Sequence, residues 1–334
     1  MSKTLIKGAK VVNEGQTALL DVLIQGERIA AVAANLTATP EMEVIDASGK
    51  FLLPGCIDDQ VHFREPGLTH KANIGTESKA CLAGGITSFL EMPNTNPQTT
   101  TAKAYRDKLD IAAQTSWVNY GFLFGGTNDN LDEIKAIDPK QTPGLKLFLG
   151  SSTGNMLVDD PNTLKEIFSV FRLPIAVHCE DEQTIRTNLA EYVKKFGDDI
   201  PMAHHPDIRS DEACFLSSSK AIALAKETGA RLHVFHLSTA RETALFQNDV
   251  PIAEKQITSE VCIHHLWFSD DDYAHKGTHI KWNPAVKSAA DREGLWEALN
   301  DDRIDIIATD HAPHTLEEKN QVYTKAPSGG PMVQ

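Results

Sequence analysis

The 334-residue chain carries 46 acidic against 32 basic side chains, a formal charge of −14 at pH 7, so its overall field repels phosphate backbones and anionic membrane surfaces. With 41% hydrophobic residues it can bury one large core, for which a closed α/β barrel alone would use about 250 residues. No apolar run approaches the ~18 residues of a membrane helix and no signal-peptide core follows the Met-Ser-Lys start, so a cytoplasmic protein without nucleic-acid or membrane partners is expected.

Residues 1 to 52 contain short β-type runs, Thr4-Leu5-Ile6, Ala9 to Val12, Leu20 to Ile24, Arg28 to Val32 and Glu43-Val44-Ile45. Gly8, Gly15, Gly26 and Pro40 punctuate them, which predicts a small antiparallel, β-sandwich-like domain. From residue 53 the texture changes to apolar runs alternating with helical patterns, the signature of a parallel sheet wrapped by helices. Eight runs stand out: Gly55–Asp59, Ile86–Met92, Val118–Phe124, Leu145–Leu149, Pro174–Val177, Arg231–Phe235, Gln256–Ile263 and Ile304–Ala308. Helices are predicted near 73–84, 100–114, 129–137, 161–171, 182–196, 210–228, 239–247 and 288–300. The fold expected for 53–334 is an α/β (β/α)8 TIM-type barrel, with a last helix and returning strands apparently missing after Gln334. The five cysteines are widely spaced without a CxxC pair and read as reduced, buried thiols.

Barrels of this kind present chemistry at the C-terminal ends of their strands. Gln60, His62 and Arg64 follow the first run, Asn94 the second, His178 the fifth, His236 the sixth, and Asp310, His311 and His314 the eighth, while Lys146 lies within the fourth. Gln60 and His62 are two apart, so they share one side of an extended segment and can touch one ion. Any single histidine could equally be a hydrogen-bonded core residue, but as a set at one rim they favour a zinc-like divalent ion. Lys146 places an ammonium in a strand expected to be buried, which is costly. It could lose its charge and be carboxylated by CO2 into an oxygen ligand, or it could point outward or pair with an acid. Asp310 ends an apolar strand, where it could accept a proton from water activated at a metal and pass it to a leaving nitrogen, or simply cap a loop. Asn94 could orient a substrate or form an ordinary turn. An anionic substrate would need a local cation, for which Arg64 is the candidate. His70, His204, His205, His275 and His279 lie in polar segments and are expected to be solvated, with His233 in a supporting position.

Gly55 to Gly67 (GCIDDQVHFREPG), Glu91-Met92-Pro93-Asn94-Thr95, Gly144 to Phe148 (GLKLF), Val177 to Asp181 (VHCED), His236 to Ala240 (HLSTA), Lys281-Trp282-Asn283-Pro284 and Thr309 to His314 (TDHAPH) resemble, in order, the motifs of the dihydroorotase family of the amidohydrolase superfamily. The resemblance implies reversible, zinc-dependent opening of a cyclic amide, dihydroorotate, to N-carbamoyl-L-aspartate in pyrimidine synthesis. It implies two zinc ions held by His62, carboxylated Lys146, His178, His236 and Asp310, with Asp310 also the general acid/base. Arg64, Asn94 and His314 would hold the substrate carboxylate and Asn283 would contact the ring. Gln60 stands where the family usually has the first His of a His-x-His pair. An amide oxygen is a weaker zinc donor than imidazole, which leaves the number and identity of the ions open.

Other readings are an allantoinase or hydantoinase of the same chemistry, which differ at the Arg64 and Asn94 positions, and a non-catalytic partner of aspartate transcarbamoylase. The partners expected are the small-molecule substrate and either a second copy of the chain or aspartate transcarbamoylase.

Overall fold

A computed structural model describes residues 2–150 and 156–334. Its contacts divide the chain into two compact units, Met1–Cys56 and Ile57–Gln334. No helix among the described residues is long and apolar enough to cross a membrane.

The smaller unit is a five-stranded sheet. Lys3–Asn13 pairs antiparallel with Gln16–Gln25 through a two-residue turn, Glu14-Gly15, in which both residues have positive φ. That conformation matches the twist of the flanking strands. Arg28–Ala33 continues the antiparallel pattern, but Glu43–Asp46 and Phe51–Leu52 run parallel to the first strand. The fully antiparallel expectation fails because the segment after Ala33 is no hairpin and crosses to the other side of Lys3–Asn13. Asp21 anchors that crossing, accepting from Leu36 N at 2.9 Å and from Gly8 N, at the bulge of the first strand, at 2.7 Å.

The larger unit holds eight parallel strand positions in chain order: Cys56–Val61, Ile86–Glu91, Asn119–Phe122 continued by Phe124–Gly125, Leu145–Phe148, Ile175–His178, Leu232–Val234, Ile257–Cys262 and Ile306–Ala308. Each lies within or beside one of the eight apolar runs. Strands one to three form one ladder and strands three to eight another, joined where only Leu123 separates the two halves of strand three. At the other end a parallel bridge links Val61 to His311, and His62 N donates to His311 O. This is the ring of a (β/α)8 barrel of the TIM type. Asp58 strengthens the seam, accepting from Thr309 Oγ1 at 2.5 Å and from Thr309 N at 3.3 Å.

Helices fall where the 3.6-residue pattern places them, with side-chain caps setting their starts. Asn73 and Ser288 make capping boxes, and Thr101, Asp160, Asp181 and Ser210 each accept a hydrogen bond from the first turn of their helix. Between helices and strands lies a core that includes Phe63, Phe89, Phe122, Phe124, Leu147, Ile167 and Val234. Two details depart from expectation. The 239–247 helix shrinks to Ala240–Thr243 because Phe246 turns into that core. Strand seven ends at Cys262, and the chain coils at once into Ile263–Trp267, burying His264 and His265.

Candidate active site

The residues singled out at the strand ends, His311 excepted, line one cavity of about 410 Å3 at the C-terminal rim of the barrel. Gln60, His62, Arg64, Asn94, Lys146, His178, His236, Asn283, Asp310 and His314 all face it. Apolar strands deliver each group to the rim and turn residues aim it. Three of them, Arg64, His236 and Asp310, sit at φ of 70°, 37° and 47°, half of the non-glycine residues with positive φ among those described. Such conformations cost about 1–3 kcal/mol each and persist only where surroundings impose them. At His236 the clamp is visible. Glu260 accepts from His236 N through its side chain at 3.2 Å and from Leu237 N through its backbone carbonyl at 2.8 Å.

One side of the cavity holds metal-type donors. His62 Nε2 stands 3.1 Å from Asp310 Oδ1, and His62 Nδ1–H donates to Asn94 Oδ1 at 2.8 Å. His178 Nε2–H donates to Glu180 Oε2 at 2.9 Å, while its Nδ1 lies 2.9 Å from His236 Nε2. Burial holds the imidazoles of His62, His178 and His236 below the ordinary histidine range, leaving neutral rings. Burial would raise the Glu180 carboxyl, but the adjacent Arg209 guanidinium and His178 outweigh it and bring it to about 2. A carboxylate behind an imidazole fixes which nitrogen offers its lone pair, the usual support of a metal-bound histidine.

Lys146 is fully enclosed. Its Nζ rides 4.1 Å from the Phe235 ring centroid and 4.8 Å from that of Phe148, finds no hydrogen-bond partner among the described residues, and is pushed by burial down to about 7. His236 Nδ1 is likewise buried without a partner among the described residues. Buried polar atoms are normally satisfied, so an orphaned amine and an orphaned imidazole nitrogen on one polar cavity fit a divalent cation and a modified lysine.

The other side is cationic. Arg64 donates through Nε to Pro313 O at 3.0 Å, and its Nη2 lies 2.9 Å from His314 Nε2. Lys71 Nζ lies 3.0 Å from His314 Nδ1. Burial, reinforced by these two cations, lowers His314 to about 3, so the ring is neutral, and burial brings Arg64 to about 10, still charged at neutral pH. Asn283 closes this side, its Oδ1 accepting from Ser328 Oγ at 2.9 Å.

Several placements differ from the expectations. His311 points away from the cavity, Nε2 toward Glu77 at 2.6 Å and Nδ1 accepting from Met332 N. His205 is fully buried rather than solvated, bridging Tyr323 Oη and Trp282 O across loops that only tertiary folding brings together. Cys56 is exposed, whereas the other four thiols are buried. Lys71, Ser328 and the Glu180–Arg209 pair were not foreseen. A second cation seven residues after Arg64 was the one available sign of Lys71.

A barrel with neutral histidines, an aspartate and a neutralisable lysine on its C-terminal rim is the architecture of a metal-dependent hydrolase. The chain belongs to the amidohydrolase family, whose model matches residues 51–329; that family is metal-dependent. It is 31% identical to a dihydroorotase of Methanosarcina mazei over 98% of this chain and 73% of the relative. A dihydroorotase of Halobacterium salinarum is 35% identical, over 94% of this chain and 71% of the relative. Among solved structures, the L-hydantoinase (dihydropyrimidinase) of Arthrobacter aurescens superposes with a TM-score of 0.93 at 28% identity, covering 100% of this chain and 75% of that one. The dihydropyrimidinase of Brevibacillus agri gives a TM-score of 0.87 at 27% identity, over 99% and 74%.

Proposed function

We propose that the chain catalyses the reversible hydrolysis of the cyclic amide of dihydroorotate to N-carbamoyl-L-aspartate. The observation that carries this reading is the cationic edge of Arg64 and Lys71, joined by the neutral ring of His314, across one small cavity from the metal-type donors. A hydantoin or dihydropyrimidine ring offers such an edge only neutral carbonyl oxygens, whereas dihydroorotate presents a carboxylate beside the amide to be cleaved. A guanidinium fork is suited to that carboxylate. Asn94 Oδ1 is occupied by His62, which leaves the Asn94 amide nitrogen as the group that reaches the carboxylate, with Asn283 set to contact the ring.

Two zinc ions would be held by His62, Lys146, His178, His236 and Asp310, with the amide oxygen of Gln60 as an additional donor, and would supply Lewis-acid activation of water and of the amide carbonyl. Lys146 takes part as its carbamate. Burial makes the neutral amine accessible near neutrality; Nζ then adds to the carbon of CO2 and releases a proton. Asp310 accepts the proton of the attacking water and returns it to the ring nitrogen as the C–N bond breaks. Arg64 and His314 keep the ring in place throughout.

The same reading makes the chain a cytoplasmic enzyme of pyrimidine synthesis, with residues 1–52 a small β domain outside the chemistry and 53–334 the catalytic barrel. Side-by-side assays of dihydroorotate, hydantoin and allantoin test it. Turnover confined to dihydroorotate is expected; preference for hydantoin or allantoin would replace this reading with the related one, and a metal-free, inactive chain would favour a scaffold.

A further inference from the structure

The barrel contains a second group of metal-type donors that this chemistry does not use. Asp59 on strand one, His233 on strand six and Glu260 on strand seven bring their ligand atoms within 4.8 Å of one another. His233 Nε2 stands 3.6 Å from Asp59 Oδ2 and 3.4 Å from Glu260 Oε2. The 3.4 Å contact is a long hydrogen-bond contact, and both separations exceed the roughly 2.7–2.9 Å of a charge-assisted hydrogen bond. They match the edge of a tetrahedron of donors each about 2.0–2.1 Å from one ion, roughly 3.3–3.4 Å.

Independent features point the same way. Asp59 Oδ1 is buried and has no hydrogen-bond partner among the described residues. Thr258 Oγ1 donates to Leu232 O at 3.4 Å and so accepts from His233 Nδ1–H at 2.8 Å, the tautomer whose Nε2 lone pair faces the two carboxylates and which supports a metal ligand. A separate cavity of about 270 Å3, lined by Asp59, His233 and Thr258 but by none of the substrate-cavity donors, gives access. Two carboxylates and one neutral imidazole balance a divalent charge.

We propose that Asp59, His233 and Glu260 bind a divalent transition-type cation, such as zinc, manganese or cobalt, with its fourth position open to the smaller cavity. The ion has a route of influence on the active site. Glu260 is the residue that clamps His236 in its left-handed conformation, so an ion on Glu260 Oε2 immobilises the carboxylate whose Oε1 holds His236 N.

Crystals of the full chain grown with zinc, with data recorded on both sides of the zinc absorption edge, are expected to show an anomalous peak among these three side chains, separate from density at His178 and His236. In equilibrium dialysis against zinc, Asp59→Asn and His233→Gln should each bind one equivalent less than the unmodified chain, with circular dichroism confirming that both remain folded. The proposal is overturned if zinc that fills the His178–His236 position leaves no peak at Asp59, or if both folded variants keep the full stoichiometry.

Discussion

Replacing Arg64 with methionine removes a guanidinium that is 7% exposed and anchored through Nε to Pro313 O at 3.0 Å. That anchor leaves the Nη groups to face the cavity, where they can make two charge-assisted bonds to a carboxylate. Each such bond contributes about 1.5–3 kcal/mol, and water is largely excluded. Arg64→Met should therefore lose about 3–5 kcal/mol of binding to the carboxylate, roughly 10²- to 10⁴-fold in kcat/KM for dihydroorotate. Because the carboxylate keeps its charge throughout the reaction, ground state and transition state lose this contact alike, so most of the change belongs in KM. The control is dihydrouracil, the same ring without the carboxylate, whose kcat/KM should move little. Steady-state assays of both substrates on both proteins give the selectivity ratio directly. A loss below about fivefold for dihydroorotate, under 1 kcal/mol, would refute carboxylate recognition by Arg64, as would equal losses for both substrates.

Asp310→Asn keeps shape and a ligating oxygen but cannot take a proton, so turnover should vanish while metal content measured by plasma mass spectrometry stays. Lys146 has a second signature. Its pKa falls from 10.5 in the unfolded chain to about 7 on burial, so the unfolded state binds more protons between those values. The uncarboxylated lysine therefore costs stability in full below pH 7 and ever less as pH rises toward 10.5. In metal-free, CO2-free buffer, urea unfolding should show Lys146→Met stabilising the chain more at pH 6.5 than at pH 9, by about 2.5 kcal/mol; equal gains would contradict the burial argument. Glu91 and Lys108 form a fully buried ion pair at 2.9 Å, and Glu91 also accepts from Phe63 N beside His62. Glu91→Ala should cost about 3–5 kcal/mol by stranding the ammonium, and Glu91→Leu with Lys108→Met should recover most of it.

Much of the barrel is legible in the chain because its central strands, Leu145–Phe148, Ile175–His178 and Leu232–Val234, are buried along their whole length, so that each appears as an apolar run whatever its neighbours. The rim residues are legible for a related reason: a polar side chain directly after such a run has only the strand end to occupy. What the sequence hides depends on long-range contact or backbone conformation. Glycine or asparagine most often marks a left-handed position; histidine and aspartate mark it weakly, as at His236 and Asp310, and nothing in Arg64 advertises one. Arg209 reaches Glu180 from a loop 29 residues away, and Lys71 reaches His314 across 243. His205, in a run that reads as polar and exposed, is buried by Tyr323 and Trp282. Parallel pairing in the small sheet was hidden likewise, since strand patterns alone do not record the direction in which a connection returns.

Removing metal bears most directly on the central claim that one metal-dependent cavity opens a carboxylate-bearing cyclic amide. Protein stripped by a chelator should lose dihydroorotate turnover and regain it in proportion to the zinc restored, with the Arg64→Met variant regaining metal but not dihydroorotate selectivity. Unchanged turnover in protein shown by mass spectrometry to hold no metal would contradict the account.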